Sequence, residues 1–240
     1  MPKTIFIDTT RCTACRGCQV ACKEWHGHKA VPTKQRGTHQ NPPDLTPFNF
    51  KLVRFNEYKI KDKVQWLFFP EQCRHCLEPG CKAGADSVME GAILQDAKTG
   101  AVVFTEKLAT FTKEQAEDVK AMCPYNVPRY DEEAKRLTKC DMCLDRQEAG
   151  IPPACVKTCC TGTMNYGERE DMLKLANERL ALLKPKYPQA QLLDPNDLNV
   201  IYLVTEPRKM YHEFAERQVK PLTRRAMFAK LVRPLGRMAG

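Results

Sequence analysis

Residues 11–22, RCTACRGCQVAC, set four cysteines at Cys12, Cys15, Cys18 and Cys22. Three more follow in QCRHCLEPGC as Cys73, Cys76 and Cys81, and Cys123 stands alone in AMCPYNVPR. The last group, KCDMCLDRQEAGIPPACVKTCC, holds Cys140, Cys143, Cys155 and Cys159, with Cys160 beside it. Thirteen cysteines in 240 residues, spaced this closely, argue for ligation rather than disulfides. A lone C-x-x-C is common to zinc sites, redox pairs and chance. The run at 12–22 is more specific: a tight loop can set three sulphurs around one face of a metal core, whereas a fourth from the same loop would be strained. Cys22 is therefore expected to open a short helix through Glu24 and Trp25 and to point away from its own loop.

The spacing C-x₂-C-x₂-C-x₃-C is that of bacterial ferredoxins, in which three thiolates hold one [4Fe–4S] cube and the fourth ligates a neighbour. Used as a crossing rule, it pairs the first group with the last. One cube then takes Cys12, Cys15, Cys18 and Cys159, and the adjoining cube takes Cys140, Cys143, Cys155 and Cys22. Pairing the second group with the segment ending at Cys123 gives a third cube on Cys73, Cys76, Cys81 and Cys123. A fourth would need thiols where Ala85, Lys113, Ala116 and Val119 stand, so its four ligands are missing together. Three cubes consume twelve cysteines and leave only Cys160. Zinc in Cys₄ tetrahedra is the competing reading, as a zinc-stabilised binding or structural protein, but zinc gives no reason for crossed spacing. Haem c is not expected, because no C-x-x-C is followed by His.

The formal charge of +9 is read with the clusters in mind. Each oxidised cube with four thiolates carries about −2, so three bring the chain to roughly +3. A basic chain is what a thiolate-rich metalloprotein needs, and no nucleic-acid partner is inferred. Arg16, Arg74, His75, Arg129, Lys139 and Lys157 lie near the expected ligands, where positive charge would favour the reduced state. No apolar run approaches the ~18 residues of a membrane span. Residues 1–8 show neither an apolar leader core nor a twin-arginine tract. No nucleophile–base constellation or nucleotide loop is visible, so the chain is not expected to catalyse a reaction by itself.

The rest of the sequence predicts an α+β fold of two interleaved ferredoxin-like modules with a C-terminal helix and strand extension. Residues 1–30 and 136–168 form the first module with two cubes; 48–135 form the second, with one cube and one lost site; 169–240 wrap the core and end in a basic tail. Strands are expected at 3–8, 48–55 and 64–69, and a hairpin at 92–95 and 101–105 with its turn at Lys98, Thr99 and Gly100. Helices are expected at 112–122, 170–184 and 207–217, and a further strand at 198–205. The helix at 112–122 covers the ground of the missing cube and is expected to fill it with side chains. Trp25, Trp66 and Tyr125 read as packing residues. Residues 221–238 are basic and carry Leu222, Ala226, Ala229 and Val232 on one stripe, suited to a partner or a membrane surface, with a solvent-facing tail as the alternative.

These motifs resemble the four-cluster ferredoxin-like subunits of molybdenum and tungsten oxidoreductases, and above all the small (beta) subunit of soluble formate dehydrogenases of anaerobic bacteria. The resemblance spans about residues 4–213. Besides the cysteine runs it includes HQNPPDL at 39–45, WLFFPEQCRHC at 66–76, CPYNVPR at 123–129 and DPNDLNVIYL at 194–203. It implies a heterodimer with a large catalytic formate dehydrogenase subunit, whose tungsten or molybdenum bis-pyranopterin centre oxidises formate to CO₂ or reduces CO₂. This chain would pass the electrons to a cytochrome or another redox acceptor. It also implies a periplasmic location reached by co-export with the catalytic subunit; a cytoplasmic one is the alternative. The functional alternative is the same module serving a polysulphide, thiosulphate or sulphoxide reductase. Cys160 departs from the pattern, standing where the ferredoxin run usually has Pro, and residues after 213 have no counterpart.

Overall fold

A computed structural model of the chain describes residues 2–60 and 62–217; the basic stripe at 221–238 lies outside the described residues. Strand β1 (Lys3–Asp8) is followed by α1 (Gly17–Trp25) and by the hairpin β2 (Leu52–Ile60) and β3 (Lys63–Glu71). Next come α2 (Gly80–Asp86), the short hairpin β4 (Ile93–Gln95) and β5 (Val102–Phe104), and α3 (Lys113–Ala121). A third hairpin, β6 (Arg129–Asp131) and β7 (Arg136–Thr138), leads to the short helices α4 (Leu144–Glu148) and α5 (Ala154–Lys157). The chain closes with β8 (Met164–Glu168), α6 (Arg169–Leu183), β9 (Gln191–Leu193), β10 (Val200–Val204) and α7 (Arg208–Tyr211).

The main sheet has the order β8-β1-β10-β9, with β1 parallel to β10 and the outer pairs antiparallel. Side chains alternate across a strand, so β1 presents Ile5 and Ile7 to one face and Phe6 to the other. Phe6 and Leu203 pack with Ala176 of α6. On the opposite face Ile5, Ile7, Val200, Tyr202 and Val204 join the core that contains Cys18 and Cys155. With both faces covered, β1 and β10 read as near-continuous apolar runs, which is why 3–8 and 198–205 were legible as strands. The C-terminal segment is thus more than a wrap, because β10 lies inside the sheet.

The remaining expectations divide by how local their cause is. The helix at 112–122 forms as α3, with Thr112 and Gln115 closing a reciprocal capping box. The first hairpin starts later than expected, since residues 46–49 close a turn in which the Asn49 amide donates to the Thr46 carbonyl at 3.1 Å. The expected helix at 207–217 stops after Tyr211: His212 is fully extended at φ −174°, and only a 3₁₀ turn follows. Cys22 does not open a helix. Arg16 takes the left-handed conformation at φ 61° and starts α1 at Gly17, so Cys22 lies well inside it.

The positions where a fourth set of ligands would stand are mostly buried by apolar packing. Ala85, Ala116 and Val119 are buried with Ala92, Ile93 and Leu108 between α2 and α3. Lys113 instead lies at the surface and pairs with Glu132. α2 and α3 approach closely at Gly80, where a Cβ would lie 2.8 Å from the Met122 carbonyl oxygen. Deleting two methyl groups here should cost about 1–3 kcal/mol. Val119→Ala is therefore expected to lower the anaerobic thermal midpoint with unchanged iron content; loss of iron would contradict a purely apolar role for this volume.

Candidate metal centres

Three C-x-x-C loops share one backbone device. The second residue between the cysteines is left-handed in each: Ala14 (φ 53°), His75 (φ 46°) and Met142 (φ 63°). A left-handed non-glycine residue costs about 1–2 kcal/mol. What it provides is an amide turned onto the first thiol. The His75 amide lies 3.4 Å from Cys73 Sγ, and that of Met142 lies 3.3 Å from Cys140 Sγ. The Ala14 amide does the same for Cys12. At Cys123 the Val127 amide reaches Sγ at 3.5 Å after left-handed Asn126. Among the described residues, six of the nine positive-φ residues other than glycine, Ala14, Arg16, His75, Asn126, Met142 and Cys143, sit at cysteine loops, so backbone strain is concentrated there.

Thiols from cysteine groups distant in sequence come within reach of one another. Cys12 lies within electrostatic reach of Cys15 and Cys159, and Cys18 within reach of Cys12, Cys155 and Cys159. Cys22, Cys140, Cys143 and Cys155 line one cavity together with Ile5, Met142 and Pro153. Cys76 faces Cys73, Cys81 and Cys123. α1 carries Cys18 and Cys22 four residues apart on one face, so a single helix serves two neighbourhoods. α5 holds Cys155, with Cys159 just beyond its end. The approaches of Cys18 to Cys155 and of Cys140 to Cys73 put the Cys22 neighbourhood between the other two.

All thirteen thiols are free. Burial pushes those of Cys18, Cys81 and Cys143 up to about 12. Cys159 differs: burial opposes ionisation, but the amides of Met164, Thr161 and Thr163 and the Thr161 hydroxyl outweigh it and hold the thiol below its ordinary value. Soft donors crowded together and mostly buried or half-buried, with amides aimed at sulphur, fit a thiolate-ligated metal core.

The charged surroundings differ from expectation. Lys51, which no motif marked, is 2% exposed; its Nζ donates to the Pro70 carbonyl at 3.0 Å and to the Gln72 side chain. Burial lowers its pKa, yet Cys18, Tyr202 and Cys155 together raise it above the ordinary lysine value. Lys139 is buried likewise and donates to the carbonyls of Val102 and Cys140. His75 carries no charge: burial, helped by Lys139, holds its pKa well below the usual value, and its Nδ1 accepts from the Val102 amide at 2.9 Å. Arg129 serves as a clamp on Leu45, Asn126 and Asp44, and Lys157 is exposed. Tyr125 packs against Arg74 as expected, whereas Trp66 is 58% exposed. His26, which had no ligand pattern, borders the Cys22 cavity with Nε2 3.7 Å from Cys143 Sγ.

The second loop is held from two sides. The amides of Leu77, Asn199 and Val200 bond to the carbonyls of Asp197, His75 and Arg74, zipping the loop onto the segment before β10. Beneath it Glu71, 1% exposed, pairs with Arg54 and lies 3.3 Å from His212 and 4.0 Å from Arg74. Burial would raise its pKa, but His212, Arg54 and Arg74 bring it down to about 2.

The sequence profile of the 4Fe-4S dicluster domain matches residues 64–169. The chain is 58% identical over 216 residues to formate dehydrogenase 2 subunit beta (cytochrome c-553) of Nitratidesulfovibrio vulgaris, covering 90% of this chain and 99% of that one. The chain belongs to the iron–sulphur (beta) subunits of formate dehydrogenases. The beta subunit of Megalodesulfovibrio gigas formate dehydrogenase is 53% identical over 215 residues, with the same coverage. The formate dehydrogenase-O iron-sulfur subunit of Escherichia coli is 37% identical over 220 residues, covering 88% of this chain and 70% of that one. The buried Glu71 pair offers a local test of the packing beneath the second loop. Removing one partner of a buried ion pair costs about 3–5 kcal/mol. Glu71→Gln should therefore lower stability at pH 7 by that order in anaerobic denaturant unfolding.

Proposed function

We propose that this chain is the non-catalytic electron-transfer subunit of a formate dehydrogenase, relaying electrons between a pterin–metal catalytic subunit and an external acceptor through three [4Fe–4S] clusters. Oxidation of formate to CO₂ releases two electrons and a proton, and that reaction belongs to the catalytic partner. The observation that supports the reading is that cysteines distant in sequence come together: Cys22, Cys140, Cys143 and Cys155 line one cavity, Cys76 faces Cys73, Cys81 and Cys123, and Cys12 and Cys18 face Cys159.

The ligand sets are Cys12, Cys15, Cys18 and Cys159; Cys22, Cys140, Cys143 and Cys155; and Cys73, Cys76, Cys81 and Cys123. When bound, each cluster supplies one-electron redox chemistry. The chain's own residues do the rest. The amides of Ala14, His75, Met142 and Val127 point at sulphur and favour added negative charge. Ile5, Met142 and Pro153 supply the apolar part of the lining around the middle set. Cys15 and Cys159 of the first set are exposed or half-buried, as are Cys76 and Cys123 of the third in part, so both ends of the series approach the surface. A cytochrome is the acceptor we favour, and the periplasm, reached by co-export with the partner, is the compartment. No helix among the described residues is long and apolar enough to cross a membrane.

Cys123→Ala in the co-purified complex should remove or convert one cube and leave two intact by EPR. Iron would then fall from about twelve per chain towards eight or eleven, three cubes of four being the full complement. Unchanged iron and sulphide would contradict the pairing. Cys160→Ser should leave both unchanged. Formate-dependent dye reduction by the complex tests the activity, because the fold alone does not specify it.

A further inference from the structure

Two ammonium groups lie inside the cysteine core. Lys51 faces Cys18 of the first set and Cys155 and Cys140 of the middle set, and it lines the middle cavity. Lys139 faces Cys140 of the middle set, Cys73 and Cys81 of the third, and the Asp141 carboxylate. Their hydrogen bonds go to neutral oxygens: Pro70 and Gln72 for Lys51, Val102 and Cys140 for Lys139. Among the described residues neither forms an ion pair with a carboxylate. Arg54 and Arg74, buried nearby, both have Glu71 as counter-ion.

A buried ammonium without a counter-ion is strongly unfavourable. Negative charge must therefore come from the groups the two lysines face: cysteines of two neighbouring sets in each case, thiolates once a cluster is bound, joined for Lys139 by Asp141. We propose that Lys51 and Lys139 are internal counter-cations of the electron relay, each set at the junction of two successive clusters. One fixed charge then stabilises an added electron on either side of it. This keeps the two reduced states close in free energy, so transfer between them is not steeply uphill. The inference rests on the three-set reading above. Lys51 is the cleaner probe, because Lys139 adjoins Cys140 and bonds to its carbonyl.

The test uses the anaerobically purified complex with its catalytic subunit. Iron and sulphide are counted first, then each cluster is followed by EPR-monitored redox titration. In Lys51→Gln, two of the three clusters should show at least a tenfold fall in the equilibrium constant for electron uptake, about 59 mV for a one-electron couple. The third should not move, and Lys51→Arg should keep all three near their original potentials. Full iron with no shift in Lys51→Gln, or with an equal shift in all three clusters, would overturn the inference while leaving the ligand sets standing. A wild-type iron count far from about twelve would instead overturn the three-set reading. If Lys51→Gln loses iron, Lys51→Arg decides. Full iron and held potentials support a role for charge; lost iron or shifted potentials there overturn it.

Discussion

Negative charge held away from water is the constraint around which this protein is built. A thiolate-ligated cluster brings about two negative charges into the interior and gains another when reduced. Ordinary cores meet such a demand poorly, since an uncompensated buried charge is among the most unfavourable groups a fold can carry. Here the answer has three parts: amides aimed at sulphur by left-handed residues, short helices that offer cysteines one turn apart, and two lysines buried where the thiols gather.

The sheet and hairpins make this arrangement rigid. β1 and β10 come from opposite ends of the described chain and pair in parallel, so the first cysteine loop and the segment bracing the second are fixed to one platform. Gly100 shows how tight the platform is. Its φ of +73° closes the turn between β4 and β5, and a Cβ there would lie 2.4 Å from the Asn199 side chain. Asn199 in turn bonds back to His75, in the second cysteine loop. Where the fourth cube would be expected, the same architecture substitutes apolar packing between α2 and α3.

Much of this was legible in the sequence wherever the cause is local. The cysteine spacing is set by loop geometry, and β1 runs from Lys3 to Asp8 as the β-branched stretch implied. The capping pair Thr112 and Gln115 marks where α3 begins. The hairpin of β6 and β7, the strand β8 and the short helices α4 and α5 were missed. β8 owes its existence to pairing with β1, more than 150 residues away, and the short helices to the cysteine loops that launch them. Lys51 was missed for the same reason. Its burial depends on Pro70, Gln72 and Tyr202, none near it in sequence, whereas His75, lying between Cys73 and Cys76, is neutral because the fold buries it completely.

Anomalous diffraction at the iron edge, from crystals of the anaerobically purified complex, tests the central claim most directly. The account predicts three separate iron cubes in this chain, in a row, with the set containing Cys22 and Cys155 in the middle. Single-atom zinc peaks among the cysteines, sulphurs bridged to one another, or a fourth cube between Ala85 and Val119 would contradict it.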